Sequence, residues 1–344
     1  MIVRKIYCFV ALALLLACVS PCQAISAASA IVIDADTGRV LYAHNADQRA
    51  LIASTTKIMT GYLACERCDP AAEISVPAEA AGLEGSSLWL KAGQRVTVKT
   101  LLYGALLQSG NDAAAALAYA ACGSTAAFVE AMNERAAALG LADTHFANPH
   151  GLDDPENYST ARDLADLAAA ALKHPLFAQI VSTKSATMEG FSFVNHNKLL
   201  WQLEGAVGVK TGYTKAAGRI LVSAVRRLGR TLICVTISDP DDWKDHAALY
   251  DAAFSRYQAL DVAKEGEPVY CVPTVCGPAG WTELLAGEDL SLGLLPEERV
   301  SYAWTEASVL FPPYAAGGDA GAVRVFADNV PIAEIPVVLS ESSS

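Results

Sequence analysis

Ser54-Thr-Thr-Lys57 sets a hydroxyl and an amine three residues apart, the spacing at which two side chains share one face of a helix. That pairing is a nucleophile beside its base, provided the amine is unprotonated near neutral pH. Alone, the pattern recurs by chance in many chains. Two more polar segments follow it in order: Ser109-Gly-Asn111 after a long apolar run, and Lys210-Thr-Gly212 within a stretch of strand-forming residues.

The elements that must hold these segments can be read from periodicity. Residues 30–43 read as two short strands turning at Asp36-Thr-Gly38. From Ser54 to Cys65, Ile58, Met59, Tyr62 and Leu63 recur at helical spacing, with Ser54 or Thr55 as the expected cap. Ala/Leu-rich runs from Lys99 to Ala121, Thr125 to Leu139 and Thr160 to Ala171 predict buried helices. Strand character returns at 205–211, 219–225 and 231–237, then a helix from about Asp245 to Tyr257. Strands, then helices, then strands predict an α/β (α+β) domain, its antiparallel sheet closed by both ends of the segment. Residues 265–340 carry short apolar runs punctuated by Pro and Gly, which predicts a small all-β domain.

The three polar segments together match the Ser-x-x-Lys, Ser-x-Asn and Lys-Thr-Gly triplet of penicillin-binding proteins and serine β-lactamases. Longer phrases resemble the low-molecular-mass D-alanyl-D-alanine carboxypeptidases of peptidase family S11. They include residues 53–60, Gln108-Ser-Gly-Asn-Asp-Ala113, residues 146–152, Tyr158-Ser-Thr-Ala-Arg-Asp163, Asn195-His-Asn-Lys-Leu-Leu200 and residues 208–214, and they cover the chain from about 30 to 260. Asp242-Trp-Lys-Asp-His246 resembles the branch found in Gram-positive, often spore-forming bacteria.

The resemblance implies a β-lactamase/transpeptidase-like domain over residues 25–262 and roles for eight residues. Ser54 attacks the penultimate D-Ala carbonyl and Lys57 takes its proton, which requires an amine pKa about three units below the free value. Ser109 relays the proton to the leaving nitrogen, and Asn111 holds Lys57 and the substrate amide. Lys210 disfavours a second charge on Lys57 and, with Thr211, meets the terminal carboxylate. Gly212 lets the strand approach the substrate, and the N–H groups of Ser54 and Tyr213 receive the oxyanion. No metal or cofactor is implied; the expected ligands are peptidoglycan pentapeptide and β-lactams. The chain has no Glu-x-x-Leu-Asn segment to activate the deacylating water, which disfavours efficient β-lactam hydrolysis. Some relatives use an Arg beyond the third motif to contact the substrate carboxylate. None stands between Trp243 and His246, and Arg219 is left unassigned. Rival readings are a D,D-endopeptidase, or a wall-peptide or β-lactam sensor with little turnover.

Composition limits what else the chain could do. With 53% hydrophobic and 18% charged residues over 344 positions it can bury a large core. Residues 1–24 have signal-peptide anatomy, Arg4-Lys5 before an apolar run, with cleavage expected after Ala24. Leu15-Leu-Ala-Cys18 offers a lipoprotein box as the alternative. Without that segment the charge moves from −12 to −14, 23 basic against 37 acidic residues, which argues against nucleic acid and anionic lipid as partners. Membrane attachment is then expected only through the N-terminus, if at all. Residues 331–344 cannot form an amphipathic anchor helix because Pro331 and Pro336 interrupt them. Six cysteines remain after the leader, compatible with disulfides but with fifteen connectivities, so no pairing is assigned.

Other polar residues have simpler readings. His145 and His150, at i, i+5, do not share a helical face and read as structural rather than metal-binding. Cys65-Glu-Arg-Cys68 lacks a second ligand pair. Ser159 or Thr160 should cap the next helix, Arg162 and Asp163 read as a peripheral pair, and Ser86-Ser87 as turn residues.

Overall fold

The computed structural model describes residues 25–275, 280–306, 309–311, 313 and 315–340. Residues 1–24, where a leader is expected, Cys276 and the end of the Ser-rich tail lie outside the described residues. A five-stranded antiparallel sheet is built from β1 (Ser29–Asp34), β2 (Val40–His44), β3 (Ala206–Thr214), β4 (Gly218–Arg227) and β5 (Arg230–Ile237), in the order β2-β1-β5-β4-β3. Chain ends far apart in sequence thus meet in one sheet, as the strand-helix-strand pattern predicts. β1 and β5 are buried along their whole length, because helices cover both faces. Ile31 and Ile33 join the large helical core, while Val32 faces a smaller cluster with Leu249 and Tyr250.

The helices are α1 (Lys57–Arg67), α2 (Val98–Leu107), α3 (Asn111–Cys122), α4 (Thr125–Ala138), α5 (Ala161–Leu172), α6 (Pro175–Ser182) and α7 (Asp242–Phe254), with a four-residue turn at Leu199–Gln202. Thr97, Ser124 and Thr160 cap α2, α4 and α5 by accepting from Thr100, Ala127 and Asp163 N–H groups. The first of these elements departs from expectation. α1 is preceded by a 3₁₀ turn at Ala53–Thr56, and neither Ser54 nor Thr55 caps it: Thr55 Oγ1 donates to the Ile52 carbonyl instead. The run expected to be helical from Lys99 to Ala121 breaks at 108–110, where Ser109 adopts φ 64°. α7 starts at Asp242, three residues earlier than expected, because Asp242 and Asp245 in its first turn favour the positive end of the helix dipole.

Arg162 and Asp163 do not pair with each other. Arg162 meets Asp47 at 2.6 Å, and Asp163 accepts from Thr144 Oγ1 at 2.7 Å. His145 Nδ1 lies 2.6 Å from the Glu156 carbonyl, and its ring stacks on Tyr158.

Beyond the catalytic-type domain, β6 (Gln258–Ala263), β7 (Pro268–Pro273), β8 (Trp281–Ala286), β9 (Leu290–Leu294), β10 (Val300–Trp304), β11 (Asp319–Ala327) and β12 (Val330–Leu339) form a strand-rich domain. Its sheet runs β7-β8-β12-β11-β10, with β6 paired to β9, around a separate core that includes Val272, Leu284, Val323 and Ile335. The segment with Pro331 and Pro336 is a strand. At the junction, Arg230 is completely buried with Asp34 Oδ2 at 3.0 Å and Glu298 Oε1 at 2.5 Å. Tyr257 donates to the same Asp34 oxygen at 2.8 Å.

Candidate active site

Ser54 sits in the 3₁₀ turn that leads into α1, Ser109 and Asn111 at the α2–α3 break, and Lys210 on the edge strand β3. Residues 57, 111 and 210, far apart in sequence, are each at most 4% exposed. The three segments therefore converge. Ser54, Ser109, Thr211, Gly212 and Tyr213 line a cavity of ≈ 590 Å³, with Lys57, Asn111 and Lys210 buried behind them.

Lys57 Nζ has three neighbours: Ser54 Oγ at 3.0 Å, Asn111 Oδ1 at 2.7 Å and the His150 carbonyl at 2.5 Å. Two of them are obligate acceptors, since Asn111 Nδ2 is itself committed to the Glu84 carbonyl at 2.6 Å. A neutral amine has two N–H donors for these and one lone pair for the Ser54 hydroxyl, so the geometry suits Lys57 as a base. Its pKa is pushed well below the ordinary lysine value, first by burial, then by the nearby Lys210, against an opposing pull from Asp112. Burial alone lowers Lys210 to about 7. Both amines are thus shifted toward the neutral form, and the proximity of Lys210 disfavours a second charge on Lys57. Lys210 Nζ donates to the Thr211 carbonyl at 2.8 Å.

The backbone carries strain where the chemistry is placed. Ala53, directly before Ser54, has φ 47° and Ser109 has φ 64°, each a left-handed conformation that costs a non-glycine residue about 1–3 kcal/mol. Gly212 is needed for a closer reason than approach to substrate. A Cβ there would lie 3.2 Å from the Ile52 carbonyl and 3.3 Å from Ser54 N. β3 thus runs against the main chain at Ser54, which brings the Tyr213 segment beside Ser54 N.

Several contributors carried no assigned role in the sequence. The His150 carbonyl cages the Lys57 amine, and Asn148 Oδ1 shapes that loop by accepting from Gly151 N at 2.7 Å. Ser86 and Ser87 do more than make a turn. The Ser86 carbonyl accepts from Asn111 N at 2.7 Å, and Ser87 Oγ donates to Asp112 at 2.7 Å. Asn195, His196, Trp201 and Trp243 line the cavity, as does Arg219, which is clasped by Asp242 through two contacts at 2.8 Å. His196 is held below its ordinary pKa by burial and then by Lys210. Asn148, His150, Asn195 and His196 fall within phrases that resemble the family, but main-chain contacts and cavity shape do not by themselves assign a role to a residue type. Among the described residues no group of three or more His, Cys, Asp or Glu side chains gathers as a metal site. Cys65 is buried, which pushes its thiol up to about 12.

Comparison with known proteins identifies a family. Residues 17–241 match the family described as D-alanyl-D-alanine carboxypeptidase, peptidase S11. The chain is 33% identical over 331 residues to D-alanyl-D-alanine carboxypeptidase DacF of Bacillus subtilis, covering 92% of this chain and 85% of the relative. It is 34% identical over 336 residues to DacA of Escherichia coli, covering 92% and 83%. Among solved structures, penicillin binding protein 5 of Haemophilus influenzae superposes with a TM-score of 0.66 at 29% identity, over 94% of this chain and 99% of that one. A variant of the Streptomyces K15 DD-transpeptidase gives a TM-score of 0.64 at 33% identity, with 68% of this chain covering 99% of that one. By its sequence, its fold and the convergence of its three motifs, the chain belongs to the D-alanyl-D-alanine carboxypeptidase family, peptidase S11.

Proposed function

We propose that the protein is a serine-type D-alanyl-D-alanine carboxypeptidase that removes the terminal D-Ala of peptidoglycan stem peptides through an acyl-enzyme on Ser54. The observation that carries this reading is the three-way contact of Lys57 with Ser54, Asn111 and the His150 carbonyl. Ser54 Oγ attacks the penultimate D-Ala carbonyl as its proton passes to Lys57 Nζ. The tetrahedral oxyanion rests on the N–H groups of Ser54 and Tyr213, each such donor being worth about 2.7–4 kcal/mol in comparable hydrolases. Ser109 carries the proton on to the departing D-Ala nitrogen. Lys57 is then neutral again beside the ester, and it is the group placed to take a proton from the deacylating water. Lys210, Thr211 and the backbone at Gly212 receive the substrate end, the cation pairing with the free carboxylate.

We assign the catalysis to residues 25–262 and read 265–340 as a spacer or wall-contact unit, with an exported protein acting at the cell wall and acylated by β-lactams. The test is release of free D-Ala from diacetyl-L-Lys-D-Ala-D-Ala by the wild type and by Ser54→Ala. Release by the wild type alone supports the reading. No release sinks it, leaving a sensor if Ser54 is still acylated, and equal release by both proteins removes Ser54 from the mechanism.

A further inference from the structure

Two buried carboxylates outside the catalytic cluster are short of positive charge. Asp239 is wholly buried and Asp245 is 7% exposed. Both converge on one hydroxyl: Ser26 Oγ lies 2.5 Å from Asp239 Oδ1 and 2.9 Å from Asp245 Oδ2, and it has a single proton to offer. The main-chain N–H of Ser26 donates to Asp245 Oδ2 at 2.5 Å, and Asp241 N–H donates to Asp239 Oδ1 at 3.2 Å. Asp239 Oδ2 is buried without a hydrogen-bond partner.

The groups around the pair do not neutralise it. From α7 come Asp242, already committed to Arg219, together with Lys244, and His246, which is buried and pushed down to about 3. From β5 comes Cys234, a thiol pushed well up by its burial and by these same carboxylates. Asp241 in the connecting turn adds a further negative charge. Burial raises the Asp239 carboxyl above its ordinary value, as expected for an anion lacking a counter-ion.

Ile25 precedes Ser26, and its side chain packs against the cluster of Val32, Leu249 and Tyr250. Consecutive backbone nitrogens are never more than about 3.8 Å apart, so the Ile25 nitrogen lies within about 6 Å of Asp245 Oδ2. In the uncut chain that nitrogen is a neutral amide. We propose that, once the expected cleavage after Ala24 has taken place, the ammonium of the new N-terminal Ile25 is the counter-ion of the Asp239–Asp245 pair. The step is hydrolysis by a signal peptidase: one water adds across the peptide bond, Ala24 keeps the carboxylate and Ile25 the ammonium. Processing would then complete the fold as well as free the protein. The acidic turn it locks includes Asp242, whose hold on Arg219 shapes one wall of the cavity.

The test begins with the intact mass and N-terminal sequence of the exported protein, where a chain beginning at Ile25 is expected. Tm is then compared between that form and one carrying a Gly-Ser-Ala extension before Ile25, which moves the charge away. At pH 6.5 the extended form should melt about 2–4 °C lower. Pairing raises the ammonium pKa above its ordinary value of about 7.7–8.0, so the advantage is full below that value and is lost as pH rises through the raised one. It should also vanish in Asp245→Asn and in Asp239→Asn. A mature chain that begins elsewhere, Cys18 included, or equal melting of the two forms at every pH, overturns the proposal. None of these readouts depends on peptidase activity.

Discussion

The amine of Lys57 donates to the main-chain oxygen of His150 at 2.5 Å, so the loop after Pro149 forms one wall of the cage around that amine. That loop is pinned to α1 from the other side as well, by Thr60 Oγ1 donating to the Pro149 carbonyl at 2.6 Å. Burial, followed by the neighbouring Lys57, pushes the His150 imidazole down to about 4, so it stays neutral over the working range.

Gly151 is the position at which this wall is least tolerant. It has φ 86°, and a Cβ there would lie 1.9 Å from the Ala53 carbonyl and 2.9 Å from Ser54 N. Gly151→Ala should therefore displace the nucleophile's main chain and lower D-Ala release by about 10²-fold, the order expected for a misplacement of about 1 Å. Gly140→Ala is the control, having φ 75° but open space around the added carbon. It should cost only backbone strain, about 1 kcal/mol of stability, with activity retained. Equal losses in both variants would show that strain rather than the contact with Ala53 matters.

Asn111→Asp is close in size but sets a negative charge beside Lys57 and loses the donation to the Glu84 carbonyl. An opposite charge favours the ammonium, so the Lys57 pKa should climb back toward the ordinary lysine value. At neutral pH kcat/KM should fall about 10²–10⁴-fold, and the rising limb of its pH profile should move to higher pH. An unchanged pH profile would mean that Lys57 is not the base.

How much of this was legible beforehand follows from the kind of contact involved. Ser54, Lys57, Asn111 and Lys210 stand in short fixed side-chain patterns, and periodicity placed Lys57 on its helix and Lys210 on its strand, while Ser54 falls in a 3₁₀ turn and Asn111 at the start of a helix that the apolar run did not show as separate. The His150 and Ser86 carbonyls act through the main chain, for which any residue type would serve, so although 146–152 resembles a family phrase, the residue types there do not reveal the contact with Lys57. The break at Ser109 was hidden for a related reason: Ala/Leu-rich propensity runs through it, and the tertiary contacts of the site impose the left-handed turn. Asp34, Arg230 and Glu298 are separated by most of the chain, and only the fold shows them to be one buried network.

Arg230 joins the two domains by pairing with Asp34 on one side and Glu298 on the other, all three side chains being completely buried. Arg230→Met would leave Asp34 and Glu298 buried without their cation, and should cost about 3–5 kcal/mol in denaturant unfolding. The loss should be recovered in large part when Asp34 and Glu298 are also made apolar. Additive losses in the triple variant would contradict the network.

The claim on which the rest depends is that Ser54 is acylated while Lys57 is neutral. It is tested by the rate at which benzylpenicillin adds to the intact protein between about pH 5 and about pH 10, with peptide mapping of the product. The account predicts one adduct, on Ser54 and absent from Ser54→Ala. The rate should rise along a limb well below the ordinary lysine value and fall as Lys210, at about 7, loses its proton. An adduct elsewhere, or a reaction that sets in only as the pH nears about 10, would contradict it.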